Sequence, residues 1–222
     1  MTALLLALAL DLPKPPGHAV RDLAGWAVRV DRRLLDADLG RRAVGLLEGQ
    51  LRVVAAVLPA DKVARLQRVA IWLDATHGRL VRPQYHPSAD WLAGHGYDRA
   101  LAKGVHLPHA GYFAAGRFQH QQPSAVLHEL AHAFHDQVLG FDHPGVRAGW
   151  EAMTRGGRYT LVPTVGGGTA RHYALSNPQE FFAELTETYF GHNNFAPFNA
   201  GQLRRDAPEL FRLMETLWGP LP

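Results

Sequence analysis

The chain has 222 residues, 47% of them apolar and 19% charged, which is enough to bury one sizeable core and too apolar for a disordered tail. It contains no cysteine, so disulfide staples, thiol nucleophiles and sulfur-ligated zinc or iron–sulfur sites are excluded, and any metal must be held by nitrogen and oxygen. The net charge is only +3, and the basic residues pair only at Arg32-Arg33, Arg41-Arg42 and Arg204-Arg205, without the basic run that tracks nucleic-acid phosphates.

In chain order, Ala3 to Leu10 is a short apolar run with Ala7-Leu8-Ala9 as a small-residue cleavage signal, although it has no basic flank. Leu12 to Gly17 is proline-rich and reads as a tether after a removed leader. Residues 1–17 are therefore expected to be leader and tether, the protein secreted or periplasmic, with a cytoplasmic location as the alternative. Gly25 to Val30 alternates as a strand does, and Asp36 to Leu58 carries a helical apolar stripe that Pro59 ends. A short helix over Lys62 to Gln67 leads to a buried strand, Val69 to Leu73. Asp74 to Gly116, rich in Gly, Pro, His and aromatics, is expected to be loop around one or two edge strands, the best of them Lys103 to Leu107. Within it the aromatic cluster Tyr85-His86-Pro87 with Trp91 reads as loop packing.

The second half reads as mainly helical. A helix is expected from Pro123 to Leu139 with Gly140 as its left-handed stop, a hairpin strand near Tyr159 to Val162, and helices over Asn177 to Tyr189 and Pro208 to Trp218. No segment has the length or hydropathy of a transmembrane span. The expectation is an α+β domain over residues 18–222, a small mixed sheet with an edge strand in the N-terminal half followed by a helical C-terminal half.

The chemistry lies in that helical half. His128-Glu129-Leu130-Ala131-His132 puts two imidazoles four residues apart on one helix face, where both reach one ion, with Glu129 to the side, where it can hold a water. A catalytic zinc needs a third protein ligand and an open position. Neither a glycine three residues after His132 nor a histidine ten after His128 is present, since those positions are His135 and Val138. His135 is expected in the core or packed beside the site. In Asn177-Pro-Gln-Glu180-Phe-Phe-Ala-Glu184, Glu180 is either the third ligand or the third residue of a capping box begun by Asn177. Glu184 either reaches the far nitrogen of His128 or shares a solvated face with Glu187. Tyr173, seven residues before Glu180, is either an oxyanion donor or an ordinary half-buried tyrosine, with His172 as a substitute donor. Asp142, His143 and His192 have ligand chemistry, but no spacing that demands a second metal.

These two motifs in register, His128 to His132 and Tyr173 to Glu184, resemble the catalytic domain of the anthrax lethal-factor family among the glutamate zincins, or gluzincins. The similarity covers about Ser124 to Phe190. It implies a zincin-like fold and a zinc metallopeptidase with one zinc held by His128, His132 and Glu180. It further implies Glu129 as general base, Tyr173 as transition-state donor and Glu184 as outer support. The substrate would be a peptide or protein, with Val105, His106 and Leu107 as the edge strand that holds it extended. A non-catalytic zinc-stabilised binding module and a zinc amidase acting on cell-wall peptides would use the same ligands.

Overall fold

The computed structural model describes residues 17–222. The apolar run, and all of the tether but Gly17, lie outside them. Chain contacts divide the described residues into two compact units, one of residues 17–56 and 60–116 and the other of 57–59 and 117–222.

The first unit is built on a mixed five-stranded sheet in the order β1-β2-β3-β5-β4. Strands β1 (His18–Leu23) and β2 (Trp26–Asp31) form a hairpin whose two loop residues, Ala24 and Gly25, have φ of 54° and 90°. Both angles are positive, as in the mirror-image turns that match strand twist, and Gly25 adopts its angle without steric cost. Strand β3 (Ile71–Leu73) lies parallel to β2 and to β5 (Val105–Leu107), while β4 (Gln84–Tyr85) closes the sheet antiparallel to β5. Parallel neighbours need a crossover, and helices α1 (Asp38–Val57) and α2 (Ala60–Leu66) intervene in the chain between β2 and β3. The sequence shows α1 through its apolar stripe, but β1 was hidden by the polar residues of its exposed half.

One expectation is corrected here. Val105, His106 and Leu107 are not an edge: β5 pairs on both sides, with β3 and with β4, and all three residues are buried. Their backbone bonds are already spent within the sheet, so this strand cannot hold an extended peptide. The stretch expected as loop also contains two short helices with side-chain caps, α3 (Ala89–Gly94) from Ser88 and α4 (Ala110–Phe113) from His109.

After α5 (Gly116–Gln121), the second unit is helical as expected. Helix α6 (Ala125–Phe134) passes into one wider π turn, His135–Leu139. Gly140 ends it with φ 84° and ψ 136°, positive but extended rather than the expected left-handed helical stop. Helix α7 (Pro144–Arg155) begins under a cap from His143, and strands β6 (Val162–Pro163) and β7 (Thr169–Ala170) form a small hairpin. Helices α8 (Pro178–Phe190), α9 (Ala200–Asp206) and α10 (Pro208–Trp218) complete the unit. Its core is aromatic: Trp218 of α10 stacks on Phe134 of α6 at 4.2 Å and on Phe182 of α8 at 5.6 Å, and its indole N–H donates to Thr186 at 3.0 Å. Among the described residues no helix is long and apolar enough to cross a membrane.

Candidate metal centre

Two packed helices, α6 and α8, bring the site residues together. Their ends are tied where Ser124, just before α6, donates its hydroxyl to the His192 carbonyl at 2.9 Å and accepts from the His192 amide at 3.2 Å. The approach is close enough that a Cβ at Gly191 would stand 2.8 Å from the Ser124 oxygen, so this position suits glycine for space rather than for backbone angle.

His128 Nε2, His132 Nε2 and Glu180 Oε2 converge. The imidazole nitrogens are 3.1 Å apart, and the carboxylate oxygen lies 3.2 Å from His128 and 3.5 Å from His132. Ligands about 2.0–2.2 Å from a tetrahedral zinc are about 3.3–3.6 Å apart, so each edge of the triangle is within a few tenths of an ångström of one face of such a site. The triad thus fits a divalent ion held by two nitrogens and one oxygen. The capping question for Glu180 resolves in both directions. Asn177 accepts a 2.8 Å bond from the Glu180 amide, which caps the helix, while the Glu180 side chain turns to the imidazoles instead of back to Asn177.

The partner of His128's other nitrogen is a correction. His128 Nδ1 donates to Glu187 at 2.6 Å, whereas Glu184 stands 3.7 Å away, beyond hydrogen-bonding range. Glu184 is instead held by Asn193, whose amide donates to its side chain at 2.9 Å and to its carbonyl at 2.8 Å. Neither glutamate lies on a solvated face, for α8 is buried from Phe181 onward. The Glu187 bond fixes the tautomer in which the His128 Nε2 lone pair points into the triangle.

The electrostatics favour a cation. Burial alone would lower the pKa of His128, but the Glu180 and Glu187 carboxylates outweigh it and hold the group well above its ordinary value. Burial opposes ionisation of Glu180 too, and its bonds to His128 and His132 still keep its carboxyl well below the usual range. Glu184, desolvated and beside Glu187, is pushed up to about 8. Two imidazoles thus share a pocket with an excess of acidic groups, a balance that a dication corrects.

Tyr173 lies in a short 3₁₀ turn, Tyr173–Leu175, with 48% of its surface exposed. Desolvation and then the Glu180 charge raise its pKa, and it also feels His128, Glu184 and Glu129, so the phenol lies within electrostatic reach of the triad and stays protonated at neutral pH. Glu129 is buried on α6, and its charge acts on both His128 and Tyr173. His172 is not a second donor to the site: it is fully buried, stacks on Phe195 at 5.1 Å, and its Nδ1 accepts from the Ala174 amide. Burial depresses it to about 3. His135 lies in the core between Phe141 and Phe182, with neither ring nitrogen hydrogen-bonded. His143 serves as a helix cap and His192 stacks on Phe198, and neither joins Asp142 in a ligand cluster among the described residues.

Glu187 thus takes the place beside His128 that the sequence pattern offered to Glu184, and the stripe Glu180, Glu184 and Glu187 is the signal that could have found it. Comparison with protein-family models, curated proteins and solved structures returned no match for this chain.

Proposed function

We propose that the protein is a zinc metallopeptidase of the lethal-factor-like type, with one zinc at His128, His132 and Glu180. The observation that carries the reading is the triangle of donor atoms at 3.1, 3.2 and 3.5 Å, with the Glu129 and Tyr173 groups within its electrostatic reach. Zinc there would supply Lewis acidity toward a peptide carbonyl and bring the pKa of a water it holds to near ~7.

The protein's own groups do the rest. Glu187 keeps the His128 lone pair aimed inward through the 2.6 Å bond to Nδ1. Glu129 takes the proton of the attacking water and returns it to the leaving amine. Tyr173, protonated at neutral pH, donates its O–H to the oxygen on which negative charge develops. A purely structural zinc site requires neither Glu129 nor Tyr173 at its border.

The test measures zinc by elemental analysis after dialysis and turnover on a peptide library. The parent should hold one zinc at this triad, and Glu180→Ala should lose it. Glu129→Gln should keep zinc while losing activity on the order of 10²–10⁴-fold. A fully active Glu129→Gln protein would sink the mechanism, and undiminished zinc in Glu180→Ala would remove Glu180 from the ligand set.

A further inference from the structure

A second cluster of ligand chemistry lies wholly within the first unit and takes no part in the proposed hydrolysis. Asp74 directly follows β3, and its carboxylate is almost entirely buried. Its Oδ2 stands 2.8 Å from His77 Nδ1 and 2.8 Å from His106 Nε2, while Oδ1 accepts from His18 Nε2 at 2.6 Å. Three segments distant in sequence, at His18, at Asp74 to His77 and at His106, meet because β3 and β5 pair in the register Trp72↔His106 and β1 begins at His18.

We propose that Asp74, His77 and His106 form a second metal site, for a first-row divalent cation held by two imidazoles and one carboxylate. Three features separate it from a simple hydrogen-bond cluster. Cis ligands about 2.1 Å from an octahedral ion are about 3.0 Å apart, and both oxygen–nitrogen edges come within a few tenths of an ångström of that. The His77 and His106 rings meet edge to face at 4.8 Å and 86°, nearly the arrangement of His128 and His132 at 4.8 Å and 81°.

The outer groups of a metal site are present as well. His18 steadies the carboxylate oxygen left free, and His106 Nδ1 shares a 3.2 Å hydrogen bond with buried His86. His86 is buried, and its Nε2 is placed to accept that hydrogen bond from the Nδ1–H of a metal-bound His106. His77 is 27% exposed at its side chain and gives an ion a way in. Nitrogen and oxygen donors with open positions suit iron, manganese, cobalt or zinc in the divalent state.

The experiment strips the full-length protein with a chelator, saturates it with Co²⁺, removes excess by dialysis and counts bound cobalt. The parent should hold two equivalents, and His77→Ala and Glu180→Ala one each. Asp74→Asn, which preserves side-chain shape, provides a second variant with its folding checked by circular dichroism. One equivalent in the parent, lost in His77→Ala and kept in Glu180→Ala, would support this site and sink the reading of the second unit. One equivalent lost in Glu180→Ala but kept in His77→Ala would overturn the second site. So would two equivalents surviving in both His77→Ala and Asp74→Asn, or no cobalt in the parent.

Discussion

Glu184 and Glu187 separate two roles that helix spacing alone leaves entangled. Both lie on the stripe begun by Glu180, three and four residues apart, and either reaches toward α6 on an ideal helix. The outcome follows from Asn193, which engages Glu184 and leaves Glu187 as the acceptor for His128. Glu187→Gln should therefore weaken zinc binding on the order of 10–100-fold, measured by competition with a chromophoric chelator. Glu184→Gln, which preserves the Asn193 contact in neutral form, should leave that affinity within a few-fold, and equal losses in both variants would contradict the assignment. Tyr173→Phe should leave zinc in place and lower kcat on the order of ~10²-fold, because the half-exposed phenol supports no packing whose loss would unfold the site.

Among the elements, α8 carries most of the construction. Pro178 at its first turn, Asn177 as its cap and Phe181, Phe182 and Leu185 as its apolar residues explain why the chain turns helical there. Removing the cap by Asn177→Ala should cost about 1 kcal/mol in chemical denaturation, and should also reduce zinc retention, since the same amide positions Glu180. A loss of stability with zinc retention untouched would show that the backbone holds Glu180 without the cap. The His128–His132 pair was legible because four residues on one helix impose their own geometry. The site around Asp74 was not, since residues 18 and 106 join the local pair 74 and 77 only through strand register, which no local pattern encodes. The misplaced edge strand has the same origin: β4 is two residues long, too short to announce itself and long enough to cover β5.

Over the whole molecule, buried histidines set the response to acid. His86 and His135 are depressed to about 4 and His172 to about 3, in each case by burial first. Unfolded, each binds a proton near pH 6.5; folded, each resists protonation down to those lower values. Their neutral burial is therefore fully tolerated above pH 6.5, and stability falls as the pH drops from there toward 4. His128 works in the opposite direction in metal-free protein, because its raised pKa adds stability at low pH that is lost as pH rises through that folded value. His135→Phe isolates one contribution. Its ring sits against Phe141 and Phe182 with no hydrogen bond to lose, so the variant should match the parent at pH 7. By pH 4 it should be more stable by on the order of 3 kcal/mol, read from denaturation midpoints of chelator-treated protein. An unchanged acid slope would mean that His135 protonates in place.

The three stacked rings of Phe134, Phe182 and Trp218 bear on the ion-sized gap in a way that the polar contacts cannot. Phe134 follows His132 by two residues and Phe182 follows Glu180 by two, and the indole of Trp218 packs against both rings, bracing the two ligand-bearing helices from one side. Hydrogen bonds between helices can be exchanged for water one at a time, whereas a packed cluster of rings either is seated or is not. The spacing of the two ligand-bearing helices thereby depends on how this ring cluster packs, and the C-terminal helix, which contributes no ligand, becomes a brace for the metal centre.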